Sequence, residues 1–361
     1  MTGPNYAGRG LVNLVAELEA RLGGEPPTAR LAPEVADAIP DADSYVLVVF
    51  DGMGAGQLAH PSAASLAEDV RGTLDAPFPT TTTVGLATIA TGLPPSQHGL
   101  LGYQLFLPEH QLVANTIKWT TLWGDPLEIQ TEAFLPQPNL WERLTAIGRE
   151  PITVQPGNFA NSPLSKALYR GCRFEPVFNQ SELVSAAVEL AAGPGRLILV
   201  YVPHVDFAAH MYGQESAAYR EAIREAVSVW EGIRHGLPTR AVAVAAADHG
   251  HVDIPGQHQI RIEKSREAGL ILYGDSRVMF VRGDGEALAG DLPAQWVPIS
   301  EMGHWWGPGP HHPDFEQRAP DGVLVVDPDY ALLHSHSDKR LIGQHGGLSE
   351  AELQVPLLVA D

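Results

Sequence analysis

Cysteine, basic charge and long apolar runs are all scarce in this sequence, and each shortage removes a class of protein. Of 361 residues one is cysteine, Cys172. That excludes an internal disulfide, a Cys-rich zinc finger and a CxxC redox pair, and it fits a reducing, cytoplasmic setting. Lys and Arg number 23 against 43 Asp and Glu, a net charge of −20, with no basic cluster of five or more. A phosphate backbone would be repelled, so wrapping of nucleic acid is not expected. An anionic small substrate would need local help, and a bound cation is one source. No apolar run reaches the ~18 residues that span a bilayer. The first residues, MTGPNYAGRGLVNLVAELEA, lack a basic stretch followed by an apolar one, so no secretory signal is read.

What is present reads as globular: 44% apolar and 18% charged residues is too apolar for a disordered chain. The length allows two domains or one large α/β domain with an insertion. Short, almost wholly apolar runs at 45–50, 197–202, 241–247 and 355–360 predict buried parallel strands. Helical patterns fall between them, at 11–22, 139–148, 181–192 and 214–235. This alternation predicts an α/β fold with a mainly parallel central sheet flanked by helices. Two stretches break it. Residues 100–138 read as an insertion at the sheet edge, and 251–344, with weak strands at 278–282 and 322–326, as a smaller inserted cap. The catalytic core would then be 1–250 together with 345–361.

Chemistry-bearing residues follow three of the four strong runs: Asp51 after YVLVVF, Asp206 after LILVYVPHV, and Asp248 with His249 after AVAVAAA. Ligands of open α/β sheets bind outside the carboxyl ends of the strands. Asp is also a good helix cap, so one such residue means little; three, two of them with a histidine at contact spacing, point to a site. Asp206 and His210 stand four apart in DFAAH and share one face of a helical turn. Asp248 and His249 serve one centre only if the backbone turns, as Gly250 permits. His345 lies in GQHGGLS, where two glycines allow close approach of the backbone. Three carboxylates and three imidazoles, with no thiolate, suffice for two zinc ions with open positions. Four threonines, Thr80 to Thr83, precede a short helix expected at 84–91. Free N–H groups at a helix start favour an anion there. Other motifs fail: DGMGAGQ has Gln57 where a dinucleotide fingerprint needs its third glycine, and no GxxxxGK, HExxH or GxSxG occurs.

The ordered set Asp51-Gly-Met-Gly, FPTTTT…TGLPPSQHG, Asp206-xxx-His210, Asp248-His249-Gly250 and His345-Gly-Gly resembles the type I phosphodiesterase / nucleotide pyrophosphatase family of the alkaline phosphatase superfamily, from about residue 44 to 361. The resemblance implies an alkaline-phosphatase-like α/β core with a two-zinc site. Asp206, His210 and His345 would hold one ion; Asp51, Asp248, His249 and the Thr82 oxygen would hold the other. Manganese or iron at one position stays open. Thr82 maps to the nucleophile, with Thr81 and Thr83 as neighbours in register, and a phospho-threonine intermediate is implied. Better-studied members carry two phosphoryl-binding Asn residues where this chain has Gly85 and Tyr103. Tyr103, or Asn115 from the insertion, would replace them. Thr83 also stands where an aromatic residue often stacks a nucleobase. His251, His311 and His312 are expected around the site or on the surface rather than as ligands.

The expected activity is thus phosphodiester or pyrophosphate hydrolysis on a small phosphoester. The alternatives are a phosphomonoesterase or phosphonate hydrolase with the same site, for which Lys118 would bind the terminal group, and a non-catalytic metal- or ligand-binding relative. The oligomeric state is left open.

Overall fold

A computed structural model describes residues 2–361. Seven strands form the central sheet: β1 (Ser44–Phe50), β2 (Val70–Asp75), β3 (Glu150–Pro156), β4 (Arg173–Val177), β5 (Arg196–Val202), β6 (Ala241–Ala246) and β7 (Gln354–Ala360). Their order across the sheet is β2-β7-β6-β1-β5-β3-β4. β1 is central and buried at every residue. It pairs in parallel with β5, Val46 opposite Ile198, and with β6, Val46 opposite Ala243. A strand covered on both faces has no polar side to show, so it reads as a continuous apolar run.

The last strand departs from expectation. Residues 355–360 were predicted parallel, but β7 runs antiparallel to both neighbours, β6 and β2. Composition does not reveal direction, because a run buried on both faces looks alike either way. The reversal has a positional effect: β7 starts where its neighbours end. The segment that precedes it therefore lies at the same sheet edge as the segments that follow β1, β5 and β6.

Helices cover the sheet. The helix Ala217–Gly236 buries Tyr219, Ala222, Ile223, Ala226, Val229, Trp230 and Ile233, a three-four spacing along one face. Ser216 caps it, its side chain accepting from the Tyr219 N–H. The helix predicted over 214–235 forms as this single element, and a separate helix, His204–Tyr212, precedes it and stops at Gly213 with φ +78°. The helix predicted at 139–148 forms as Leu140–Ala146, with Asn139 and Glu142 in a reciprocal capping box.

The two irregular stretches pack on each other. Residues 100–138 supply a small antiparallel sheet of Gln104–Leu107, Leu112–Asn115 and Thr120–Thr121. The later stretch supplies a four-stranded antiparallel sheet that includes the predicted strands Val278–Arg282 and Gly322–Val326. Leu105, Phe106 and Val113 from the first share an apolar cluster with Tyr273, Phe280 and Trp306 from the second. The Gly274 N–H donates to Gln104 Oε1 at 3.0 Å, fixing one against the other. Among the described residues, no helix is long and apolar enough to cross a membrane.

Candidate metal centre

Each predicted donor sits at the carboxyl edge of the sheet. Asp51 directly follows β1 and is buried. Asp206 and His210 occupy the first and last turns of the helix His204–Tyr212 that follows β5. Asp248 and His249 follow β6 and are fully buried. The chain can turn there because Gly250 has no side chain: a Cβ would lie 2.0 Å from the Ala351 carbonyl oxygen. His345 precedes β7, and its approach depends on Gly346, which takes φ +115° and where a Cβ would fall 2.4 Å from the Asp275 Cβ.

The imidazoles are oriented by carbonyls. The Nδ1 of His210 lies 2.7 Å from the Gly343 oxygen, that of His345 2.8 Å from the Thr80 oxygen, and that of His249 3.1 Å from the Gly250 oxygen. A carbonyl only accepts, so in all three rings the proton sits on Nδ1 and Nε2 presents a bare lone pair. The Nε2 atoms of His210 and His345 then face each other at 3.2 Å with no proton to share. Such an arrangement suits a cation.

The carboxylates tell the same story. Burial, then the charges of Asp206 and Asp248, push Asp51 well above the usual carboxylate range. Burial also raises Asp248, partly offset by His249. Burial opposes the charge of Asp206 as well, but His210, His251 and His345 hold its carboxyl well below the usual range. Asp51 accepts a hydrogen bond from the Tyr201 hydroxyl, while one buried oxygen of Asp248, Oδ2, has no partner. Two groups bring donor atoms within 4.8 Å of one another: Asp51, Asp248 and His249; and Asp206, His249, His251 and His345. Lone pairs turned inward and an orphaned carboxylate oxygen fit two divalent cations with N/O ligands.

Thr82 opens the helix Thr82–Thr91, with Thr81 as N-cap. Its Oγ1 is 3.1 Å from His249 Nε2 and 3.4 Å from Asp51 Oδ1. Thr83 is fully buried and its hydroxyl has no partner. Thr81 and Thr82 both line a cleft of about 270 Å³ with Tyr103, Asp206, His210, Asp275 and His345. Among the described residues of the threonine run, Thr82 is the one whose hydroxyl reaches the candidate metal-binding side chains, while Thr80 meets His345 through its carbonyl. Tyr103 accepts at its hydroxyl oxygen from Asn115 Nδ2, 2.8 Å away. Asn115 therefore holds Tyr103 and is not itself part of the cleft wall. Lys118 is exposed and stands outside the cleft wall, which among the described residues contains neither Lys nor Arg. At Gly85 a Cβ would fall 2.6 Å from the Asp248 Cβ, so that position has no room for an Asn. His311 is exposed and His312 half-buried, away from the cluster. His251 was expected around the site or on the surface; it is buried among the other histidines, its Nε2 2.6 Å from Asp206 Oδ1.

A mainly parallel α/β sheet flanked by helices, with Asp and His gathered at its carboxyl edge, is an alkaline-phosphatase-like fold. The type I phosphodiesterase / nucleotide pyrophosphatase family profile matches residues 45–348, and the chain belongs to that family. Among solved structures, murine ectonucleotide pyrophosphatase / phosphodiesterase 5 is similar with a TM-score of 0.65 at 19% identity, over 88% of this chain and 87% of that one. A form of that murine protein with threonine changed to alanine, described as inactive and in complex with AMP, aligns at TM-score 0.65 and 18% identity, over 88% and 87% of the two chains. Phosphonoacetate hydrolase from Sinorhizobium meliloti 1021 gives 0.64 at 16% identity, over 89% and 91%. The sequence matches none of the curated proteins.

Proposed function

We propose that this protein is a metal-dependent phosphodiesterase or pyrophosphatase acting on a small phosphoester, with Thr82 as nucleophile. The observation that carries this reading is the position of Thr82: its hydroxyl faces the cleft while touching both His249 and Asp51. Two zinc ions are the proposed metals, held as expected by Asp206, His210 and His345 and by Asp51, Asp248 and His249. When bound, such ions polarise a phosphoryl oxygen and make a threonine hydroxyl acidic enough to attack. Thr82 Oγ1 forms a bond to phosphorus as the ester oxygen leaves, giving a phospho-threonine. Water then attacks phosphorus and returns the Thr82 hydroxyl. At the start of the helix the Val84 and Gly85 N–H groups bond the Thr81 carbonyl, which leaves those of Thr82 and Thr83 to meet the developing charge. Tyr103 lends a hydroxyl from the opposite wall.

The diester reading gains over the monoester and phosphonate readings on one observation. A terminal dianionic phosphate or a substrate carboxylate wants a cationic side chain, and among the described residues neither Lys118 nor any other Lys or Arg lines the cleft. The likeness to a phosphonoacetate hydrolase rests on fold.

The test is hydrolysis of bis-p-nitrophenyl phosphate beside p-nitrophenyl phosphate, with zinc and after chelation, for the wild type and Thr82→Ala. The expected result is chelator-sensitive preference for the diester, lost in Thr82→Ala while two zinc ions stay bound. Preference for the monoester would overturn the diester reading. Full activity of Thr82→Ala would remove Thr82 as nucleophile.

A further inference from the structure

His251 is the one imidazole of the cluster whose ring is not oriented as the other three are. In His210, His249 and His345 the outward Nδ1 donates to a backbone carbonyl. That is the usual arrangement of a metal-binding histidine, whose second ring nitrogen fixes the tautomer and strengthens the donor. The Nδ1 of His251 is buried and has no partner. Its Nε2 lies 2.6 Å from Asp206 Oδ1. The same Oδ1 stands 3.4 Å from His210 Nε2 and 3.9 Å from His345 Nε2, so Nε2 is the inward atom of His251 and Nδ1 faces away.

The two tautomers are not equivalent in that setting. To bind an ion through Nε2, His251 would have to carry its proton on Nδ1, leaving a buried N–H with no acceptor. A buried donor without a partner is the costly case. With the proton on Nε2 the ring donates to Asp206 and leaves only an unused lone pair at Nδ1. A carboxylate oxygen has two lone pairs, so Oδ1 can accept from His251 and still face His210 and His345.

The surroundings hold this pair in place. Gly52, at φ +71°, makes room for it: a Cβ there would be 2.7 Å from His251 Cδ2 and 3.0 Å from Asp206 Cβ. The His251 carbonyl accepts from Gln57 Nε2 at 3.0 Å. The next residues, Val252 and Asp253, pair antiparallel with Gln344 and Gly343. One short ladder therefore registers His251 against His345, and its Gly343 carbonyl also orients His210.

We propose that His251 is a positioning residue, which fixes Asp206 through an Nε2–H hydrogen bond and is not itself a metal ligand. This rests on the reading of the cluster as a two-metal centre. Asp206 would otherwise be free to rotate between His210 and His345, and a rotating ligand binds more weakly.

The test uses the full chain loaded with zinc, as wild type, His251→Met and His251→Gln. X-ray absorption at the zinc edge counts imidazoles per ion, and chelator competition reads affinity. Three histidines shared by two ions give about 1.5 imidazoles per ion. That count should be unchanged in His251→Met, while one zinc is bound ~10–100-fold more weakly. His251→Gln, which keeps an N–H donor, should recover part of the loss. A fall in imidazole count in His251→Met would make His251 a ligand and overturn the proposal. Unchanged affinity in both variants, with two zincs still bound, would also overturn it. A wild type that binds no zinc would overturn the metal reading beneath it, a result distinguishable from the other two. Circular dichroism of the metal-free proteins identifies a variant that fails to fold, and His251→Gln then carries the test.

Discussion

Tyr103 and Asp275 face the same cleft as Thr82 and do different work there. Because Tyr103 accepts from Asn115, its own proton is free for a phosphoryl oxygen. Tyr103→Phe is expected to slow turnover by ~10²–10³, the scale of a lost oxyanion donor. An unchanged kcat would take Tyr103 out of the reaction. Asp275 has a buried, unpartnered Oδ2. Burial, and then the charge of Glu352, push its pKa up to about 8. Between the usual carboxylate range and that value the folded protein keeps the proton while the unfolded chain gives it up. Stability is therefore fully present below about pH 4 and is lost as pH rises toward 8. Asp275→Asn mimics the neutral acid, so the metal-free variant should melt above the wild type at pH 8 and with it at pH 4. Equal melting temperatures at pH 8 would show that Asp275 ionises freely.

The elements differ in how openly the sequence declares them. β1, β5 and β6 could be read because burial on both faces demands unbroken apolar runs. β3 could not: EPITVQP begins and ends in polar or proline residues. β2 and β4 are edge strands with exposed positions, and they lack the signal for the same reason. Site donors that follow a strand were legible from that position alone. His345 precedes one, and its place followed only from the motif order, since the direction of β7 is set by pairing with β6 and β2 and not by its own residues. For His251 the sequence left two places open, around the site or on the surface, and the structure puts it buried beside Asp206. The available hint was a third polar residue so soon after Asp248 and His249, on a chain still turning back along the sheet edge. The helix Thr82–Thr91 packs directly on the Asp248 backbone through Gly85. Gly85→Ala should cost ~1–3 kcal/mol as an overpacked contact and weaken zinc binding through Asp248. A variant that melts like the wild type and binds zinc as tightly would show that the helix can shift aside.

The molecule as a whole is strongly acidic, with a net charge of −20, and the proposed substrate class is anionic. Long-range repulsion of the substrate is the expected field, opposed at short range by bound cations. Salt screens the long-range part first, with a Debye length of ~10 Å at 0.1 M. Raising sodium chloride from low values to 0.15 M should therefore increase kcat/KM for a singly charged diester. A steady decrease would show that attraction by the metal centre reaches beyond the cleft. The cleft is a joint product of both irregular stretches, since Tyr103 comes from one and Asp275 from the other. Their shared apolar cluster, including Phe106 and Phe280, holds those walls in register. Loosening it should alter substrate affinity before it alters the proposed metal centre, whose donors sit at the carboxyl edge of the sheet.

The reversed strand β7 sits between β2 and β6. During synthesis β2 leaves the ribosome early but has no neighbour in the central sheet until residues 354–360 emerge and slot in beside it. The same event carries the His345 loop to its post. Chain order thus places Asp51, Asp206 and Asp248 well ahead of β7 and His345 just before it, so the proposed metal centre lacks one imidazole until that segment has been made.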